Sequence, residues 1–427
     1  MEIDRVVNRD CLEGMREMEE NSVDAIVTDP PYGLSFMGQD WDHGVPGVPY
    51  WQEALRVAKP GAHLLAFGGT RTHHRLMVAI EDAGWEIRDC LMWVFGSGMP
   101  KSLDVGKALD RAVGAEREII GYEPHTHQDI RGGAFVSDKV KHRKRLKLPV
   151  TAPATDAAKR WDGWGTALKP AYEPVILARK PLDGTVAGTV LKWGCGGINI
   201  DGCRIEVSNS DPGKKNWHGN RPSCKEYHRG PQALYGAYAP HTSSEHESGR
   251  WPANLLLDEA AADLLDQQSG TLKSGANPAR RGSAKFKNCY GEFKGQESCT
   301  VHRGANSGGA SRFFYCSKAP KNERCGSLHP TVKPLDLMRY LCRLVTPPGG
   351  LILDPFLGSG TTAVAAVHEG FHYLGFEINP TYCADAERRI AEARREIAAP
   401  RPNKRGNSAS KDAPPATTLA AFGTEET

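Results

Sequence analysis

The arrangement of strand-like and helix-like segments constrains the fold most, because they alternate at both ends of this chain and are scarce in its middle. Near the start, strands are predicted at 6–7, 23–29, 63–67 and 87–95, and helices at 11–20, 50–58 and 72–83. Near the end, helices at 332–345, 361–369 and 380–395 alternate with strands at 351–353 and 372–377. Such alternation predicts an α/β fold with a mostly parallel sheet, built from both ends of the chain.

The middle of the chain has a different composition. Residues 195–312 are rich in Gly, Ser, Asn, Arg and Lys and show little periodicity, which is typical of functional or disordered loops. A helix at 103–113 and a strand at 174–179 precede this stretch. We therefore predict a discontinuous core at 1–190 and 321–397, an inserted loop-rich region at 191–320, and a disordered Pro/Ala/Ser/Thr-rich tail at 398–427.

Composition narrows the class of protein further. No apolar run is long enough to span a bilayer, and the N-terminus lacks the pattern of a signal peptide. Eleven cysteines without a CxxC pair favour reduced thiols and a cytosolic location. A net charge of +3 permits an anionic partner without demonstrating one.

The first motif, Asp29-Pro30-Pro31-Tyr32, directly follows the predicted strand at 23–28. Pro31 biases Pro30 toward an extended backbone, and the Pro30 carbonyl is free to face a pocket. A carboxylate and a carbonyl provide two acceptors, which suit an exocyclic amino group, and Tyr32 suits stacking on a flat base. An ordinary strand-to-loop turn is the alternative reading of the tetrapeptide.

The second motif, residues 354–362, lies between a predicted strand and a predicted helix. It reads Asp354-Pro355-Phe356-Leu357-Gly358-Ser359-Gly360-Thr361-Thr362. Its glycines allow a tight turn and close approach of a ligand to a helix N-terminus. Glu377 ends the next strand, where an acid can hold ribose hydroxyls or simply be solvated. Since neither GxGxxG nor GxxxxGK[ST] is present, a nucleoside with a short charged tail is favoured over a pyrophosphate.

Together these motifs resemble those of the DNA amino-methyltransferases, and their order resembles that of the β group. Asn8-Arg9-Asp10-Cys11-Leu12 is similar to the family's GDCL segment, although Arg9 replaces Gly, and residues 329–334 (HPTVKP) match its HPTxKP segment. The resemblance implies a Rossmann-like core and S-adenosylmethionine as cofactor. It implies catalytic roles for Asp29, Pro30, Pro31 and Tyr32. It implies cofactor contacts for Asp10, Lys333, Asp354, Phe356, Gly358, Ser359, Gly360, Thr361, Thr362 and Glu377.

Two of these residues also fit structural roles that involve no contact with the cofactor. Asp10 is equally suited to cap the helix at 11–20, and Lys333 to be a surface lysine in a first helical turn. The family's chemistry implies direct methyl transfer to the amine of a flipped base, with no covalent enzyme intermediate and no metal.

The target predicted from this resemblance is adenine N6 in duplex DNA. Asp in the first motif position is commoner among adenine-N6 enzymes, and Ser among cytosine-N4 enzymes. Cytosine N4 is the alternative, and an RNA or protein substrate or an inactive DNA-binding homologue is more remote. The inserted region is the predicted target-recognition region, and the protein is expected to act as a monomer or homodimer.

Basic residues supply candidate DNA contacts, although charge runs are often only solvated faces. The candidates are Lys141, Arg143, Lys144, Arg145, Arg280, Arg281 and Lys285. Cysteines and histidines between 195 and 302 match no standard zinc spacing, so no metal site is predicted.

Overall fold

The computed structural model describes most of both ends of the chain and parts of its middle. The described residues are 2–34, 42, 44–98, 100, 102–124, 147–206, 249–274, 279–280, 286–288, 291–293, 299–300, 306–317 and 332–398. The candidate DNA contacts at 141–145, Arg281 and Lys285 lie outside these residues, as does the predicted tail from 399 onward. Only the backbone of Arg280 is described.

Ten α-helices lie within the described residues. They are α1 (Cys11–Arg16), α2 (Val48–Val57), α3 (His73–Asp82), α4 (Val105–Ala112), α5 (Asp156–Arg160), α6 (Val186–Trp193), α7 (Glu259–Ser269), α8 (Leu335–Val345), α9 (Thr361–Glu369) and α10 (Pro380–Ala398). None of them is both long and apolar enough to cross a membrane.

The described strands form one large sheet and four two-stranded ones. The large sheet contains β1 (Arg5–Asn8), β2 (Val23–Thr28), β3 (Ala58–Phe67), β4 (Glu86–Val94), β7 (Tyr172–Arg179), β8 (Leu255–Asp258), β15 (Tyr315–Ser317), β16 (Leu351–Asp354) and β17 (His372–Glu377). The small pairs are β5 (Ile119–Pro124) with β6 (Lys147–Thr151), β9 (Leu272–Ser274) with β14 (Asn306–Gly308), β10 (Ala279–Arg280) with β13 (Cys299–Thr300), and β11 (Phe286–Asn288) with β12 (Gly291–Phe293).

The strand order of the large sheet is β1–β17–β16–β2–β3–β7–β4–β8–β15. All neighbours pair in parallel except β7, which runs antiparallel to both β3 and β4. The predicted α/β fold with a mostly parallel sheet is therefore confirmed. Strands β17 and β16, from the end of the chain, lie between β1 and β2 from its start, and the pairings β1–β17 and β2–β16 join the two ends.

Helices cover both faces of this sheet, which explains why its central strands are largely apolar. Successive residues of a strand face opposite sides. Ile26 and Leu64 pack with helices α1–α3, whereas Val27 and Leu65 pack with helices α8–α10. All six residues of β2 are buried, as a parallel strand covered on both faces requires.

The structure adds regular elements to the stretch predicted to be loop-rich. Strand β8 and helix α7 follow one another there, and β8 and β15 extend the large sheet beyond β4. Asp258 caps α7 by accepting from the Ala261 N–H at 2.6 Å. Strand β8 was not predicted, because it lies in the stretch whose composition predicts loops. The division into a core and an inserted recognition region stays a prediction.

Candidate active site

The two sequence motifs meet at the place where the direction of the sheet's connections reverses. The chain passes from β2 through α2 to β3 on one side, and from β16 through α9 to β17 on the other. Crossovers that diverge in this way open a crevice at the carboxyl ends of the strands. Thr28, the last residue of β2, donates a hydrogen bond from Oγ1 to Asp354 Oδ1 at 2.6 Å, which ties the two strand ends together.

A cluster of charged and polar side chains lies on the β2 side of this crevice. Lys333 Nζ is 2.9 Å from Asp29 Oδ2 and 3.0 Å from Glu173 Oε2, and it donates to the Tyr32 hydroxyl at 3.0 Å. The Tyr32 hydroxyl lies 2.8 Å from Asp29 Oδ1 and 3.2 Å from Glu173 Oε2. The ammonium also lies 4.9 Å from the centre of the Phe67 ring. We call Asp29, Tyr32, Glu173 and Lys333 the acid–lysine cluster.

The protonation of two members of the acid–lysine cluster follows from their surroundings. Burial lowers the pKa of Lys333, but the carboxylates of Asp29 and Glu173 more than offset this, so its pKa is raised and the ammonium stays charged. Burial, reinforced by the same two carboxylates, holds the pKa of Tyr32 well above its ordinary value. The hydroxyl therefore keeps its proton at neutral pH and can donate it.

The segment after Tyr32 is fixed by a buried carboxylate. Asp42 accepts hydrogen bonds from the N–H groups of Gly33 at 2.7 Å and Leu34 at 3.1 Å. Gly33 and Leu34 line an open cavity of about 300 Å³ together with Arg71 and Thr72. Pro30 is buried and Pro31 is half-buried beside it. The first motif thus borders a concave surface.

The glycine turn lies on the β16 side of the crevice, facing the end of β17. Gly358 and Gly360 adopt left-handed φ angles of 53° and 80°, which glycine tolerates without strain. Glu377 Oε2 accepts the Gly358 N–H at 2.9 Å, and Glu377 Oε1 accepts the Asn379 N–H at 2.7 Å. Burial raises the pKa of Glu377 although these N–H groups oppose the shift. A half-buried carboxylate is thus held at the turn, with lone pairs left for further donors.

Several side chains of the second motif point into the protein. Ser359 and Thr361 are buried, and their hydroxyls lie 3.3 Å apart. The Arg389 guanidinium donates to the Ser359 backbone carbonyl at 2.6 Å and to the Thr361 hydroxyl at 3.0 Å. Thr362 is buried and hydrogen-bonded to Asp354, whose pKa burial raises to about 6. These residues therefore shape the turn, and direct cofactor contact by them stays a prediction.

Aromatic rings and an acid lie near the start of α1. Asp10 caps this helix by accepting from the N–H groups of Leu12 and Glu13 at 2.9 and 3.2 Å, as its simpler reading expected. Phe356 lies 6.0 Å, centre to centre, from Tyr50, whose pKa is raised by burial and by the nearby Asp10. Cofactor contact by Asp10 and Phe356 stays a prediction. Tyr50 was not nominated, because no local pattern connects it with either motif.

Gly360 offers a test of the turn, since a Cβ there would lie 2.7 Å from the Ala386 Cβ. Gly360→Ala is expected to lower the free energy of unfolding by about 3 kcal/mol, through left-handed strain and overpacking. Urea denaturation measures this loss. Gly370, at the other end of α9, has a φ of 75° and open space around it. Gly370→Ala should cost only about 1 kcal/mol from strain; equal losses in the two variants would contradict the close packing.

Of the cysteines considered for zinc, the two whose side chains the structure describes lie apart. Cys195 and Cys203 are buried in different hydrophobic clusters on opposite faces of the sheet. Cys224, His228 and His302 lie outside the described residues, and only the backbone of Cys299 is described. Among the described residues, no group of three His, Cys, Asp or Glu side chains could hold a metal ion.

The fold and the paired motifs define an α/β protein with its candidate site at the switch point of its sheet. The family model for DNA methylases with N6 or N4 specificity matches residues 23–388, which run from β2 into α10. The chain belongs to this family, and it is a DNA methyltransferase. The resemblance inferred from the motifs is thereby confirmed. The methyl donor of the family is S-adenosylmethionine, as the sequence predicted.

Individual relatives either have a low sequence identity to this chain or match only a small part of it. The Type II methyltransferase M.HindIII of Haemophilus influenzae is 21% identical over 426 residues, covering 88% of this chain and 92% of the relative. The DNA adenine methyltransferase YhdJ of Escherichia coli K12 is 37% identical over 83 residues, covering 18% of this chain and 28% of the relative. Among solved structures, the M1.HpyAVI–SAM complex aligns with a TM-score of 0.38 at 15% identity, covering 90% of this chain and 98% of that one. The cytosine-N4-specific PvuII methyltransferase aligns with a TM-score of 0.40 at 14% identity, covering 92% and 91%.

Proposed function

We propose that this protein methylates the exocyclic N6 amine of a flipped adenine at specific sites in duplex DNA. One observation carries the proposal: Asp29 and Tyr32 at the end of β2 lie beside the glycine turn at the end of β16, across a single pair of strands. An acceptor for an amino group is thereby next to a turn suited to a nucleoside.

The residues around the glycine turn fit S-adenosylmethionine. The Glu377 carboxylate suits ribose hydroxyls, because its oxygens have lone pairs beyond those used by Gly358 and Asn379. The rings of Phe356 and Tyr50 offer apolar faces to an adenine. When bound, the cofactor supplies an electrophilic methyl group.

On the base side, Asp29 and the Pro30 carbonyl accept hydrogen bonds from the two N–H groups of the target amine. The lone pair of that amine is delocalised into the ring, so it is a poor nucleophile until it is oriented and partly pyramidal. Holding it in line with the methyl group lowers the barrier by positioning. The Asp29 carboxylate stabilises the positive charge that develops on nitrogen. Tyr32 stacks on the base, which must leave the duplex to reach the pocket.

Adenine is favoured over cytosine by Asp29 at the first position of the motif and by the name of one relative, the DNA adenine methyltransferase YhdJ. Cytosine N4 is the second candidate, because the family includes both activities.

Residues 191–320 are proposed to recognise the target, with the basic residues at 141–145, Arg280, Arg281 and Lys285 contacting phosphates. The likeness to M.HindIII supports a role in restriction–modification in a bacterial cytosol.

Expression in a bacterial host without DNA modification, followed by sequencing of its DNA for modified bases, tests the proposal. N6-methyladenine in a fixed motif is the expected result. Finding N4-methylcytosine instead would make cytosine N4, the second candidate, the target in place of adenine N6. Unmodified DNA from a host containing folded, cofactor-binding protein would overturn both.

A further inference from the structure

We propose that Glu173 is a positioning residue for methyl transfer, one that holds Lys333 and Tyr32 so that Asp29 can receive the target amine. This inference rests on the proposed function. Glu173 belongs to neither sequence motif and was not among the predicted site residues. Three observations carry it: the place of Glu173 in the sheet, the donors that it shares with Asp29, and the charge of the acid–lysine cluster.

The antiparallel course of β7 brings Glu173 to the site. Glu173 is the second residue of β7, opposite Trp93 of β4, and Val175 pairs with Phe67 at the end of β3. Because β7 runs against its neighbours, its first residues lie at the edge where β2 and β3 end. A parallel strand in this position would have put its first residues at the far edge of the sheet.

Glu173 and Asp29 share the same two donors. The Lys333 ammonium has three hydrogens, and its three nearest acceptors are Asp29, Glu173 and the Tyr32 hydroxyl, at 2.9, 3.0 and 3.0 Å. The Tyr32 hydroxyl has only one hydrogen but lies within 3.2 Å of both carboxylates. It can therefore donate to either acid, but to one at a time.

This sharing allows a change of partners when a base binds. An amino group approaching Asp29 competes for lone pairs that Tyr32 and Lys333 use. Glu173 provides the alternative acceptor, so the Tyr32 proton can turn to it while the ammonium stays fully bonded. The Tyr32 ring and the Lys333 stem then keep their positions, with Phe67 below the ammonium. Without Glu173, both donors would rely on Asp29.

The charge of the acid–lysine cluster suits the reaction. Two carboxylates and one ammonium carry a net charge of −1, in surroundings where the side-chain exposure of Lys333 is 10%, that of Asp29 23% and that of Glu173 24%. Positive charge develops on the target nitrogen during transfer, and a net negative cluster stabilises it. Glu173→Gln would leave a net charge of zero, with the ammonium opposing the developing charge.

Steady-state kinetics of the full chain on unmodified plasmid DNA test the inference, together with direct measurement of the Kd for S-adenosylmethionine. Glu173→Gln is expected to lower kcat about 10²-fold, with Kd for the cofactor changed less than about threefold. Glu173→Asp keeps the negative charge but moves it away from Lys333 and Tyr32, because the side chain is one methylene shorter. Its kcat should fall between those of wild type and Glu173→Gln. The matched control is Glu86→Gln, which removes a carboxylate paired with Arg179 on the same two strands, β4 and β7. Its kcat should equal that of wild type.

A double variant separates charge from packing. Glu173→Gln combined with Lys333→Met restores a net charge of −1 and should regain about tenfold in kcat over Glu173→Gln at saturating cofactor. A further loss in the double variant would overturn the charge argument. Wild-type kcat in folded Glu173→Gln would overturn the inference, whereas an inactive wild-type chain would overturn the proposed function instead.

Discussion

Asp29→Ala is expected to abolish DNA methylation while leaving cofactor binding intact. The carboxylate both orients the target amine and stabilises the charge that develops on it, so we expect a loss of at least about 10³-fold in kcat. The variant should fold, because the Lys333 ammonium keeps Glu173 as an ionic partner at 3.0 Å. Transfer of a labelled methyl group to unmodified plasmid DNA measures the loss, and calorimetry measures the Kd for S-adenosylmethionine.

Asp82→Ala is the matched control, since this exposed aspartate ends α3 far along the chain from both motifs. It should methylate at the wild-type rate. A folded Asp29→Ala variant with wild-type kcat would exclude Asp29 from catalysis. A variant that loses cofactor affinity as strongly as activity would instead assign Asp29 to the cofactor site.

Glu377→Ala is expected to weaken binding of S-adenosylmethionine by about 10²-fold, the equivalent of losing one or two charge-assisted hydrogen bonds. The carboxylate serves the proposed ribose contact and also fixes the Gly358 N–H, so its removal affects both the ligand and the turn. Binding to DNA, measured by fluorescence anisotropy without cofactor, should be retained.

Glu387→Ala is the matched control for Glu377→Ala, because Glu387 is an exposed acid on the neighbouring helix α10. Its Kd for the cofactor should match that of wild type. An unchanged Kd in Glu377→Ala would remove Glu377 from the cofactor site and leave it with a role in the turn alone.

The sheet and the meeting of its motifs were predictable because they follow from local patterns and from topology. Buried strands such as β2 and β16 are short, mostly apolar runs, and residues that follow parallel strands gather at one edge. Strand β8 was missed because it lies in the stretch whose composition predicts loops, and β3 proved longer than predicted because Lys59, Pro60 and Gly61 do not resemble a strand.

Side-chain partners were less predictable than backbone positions. Glu173 reaches the first motif across 141 residues of sequence, a separation at which no spacing rule operates. Ser359 and Thr361 were expected to face the cofactor, yet both are buried: the Thr361 hydroxyl accepts from Arg389 on α10, and the Ser359 hydroxyl lies 3.3 Å from that of Thr361. The direction of these side chains depends on the packing of α9 against α10, which a motif does not encode.

The pairing of β2 with β16 has a consequence for protein synthesis. Strand β2 leaves the ribosome early, but its partner β16 begins only at Leu351. At about 5–20 residues per second, roughly 15–65 s of translation separate the two strands. During that time one edge of β2 lacks its native neighbour, and the crevice cannot form. A nascent chain would therefore acquire methylating activity only after almost all of it has been made, and a product that stops before Leu351 would have none.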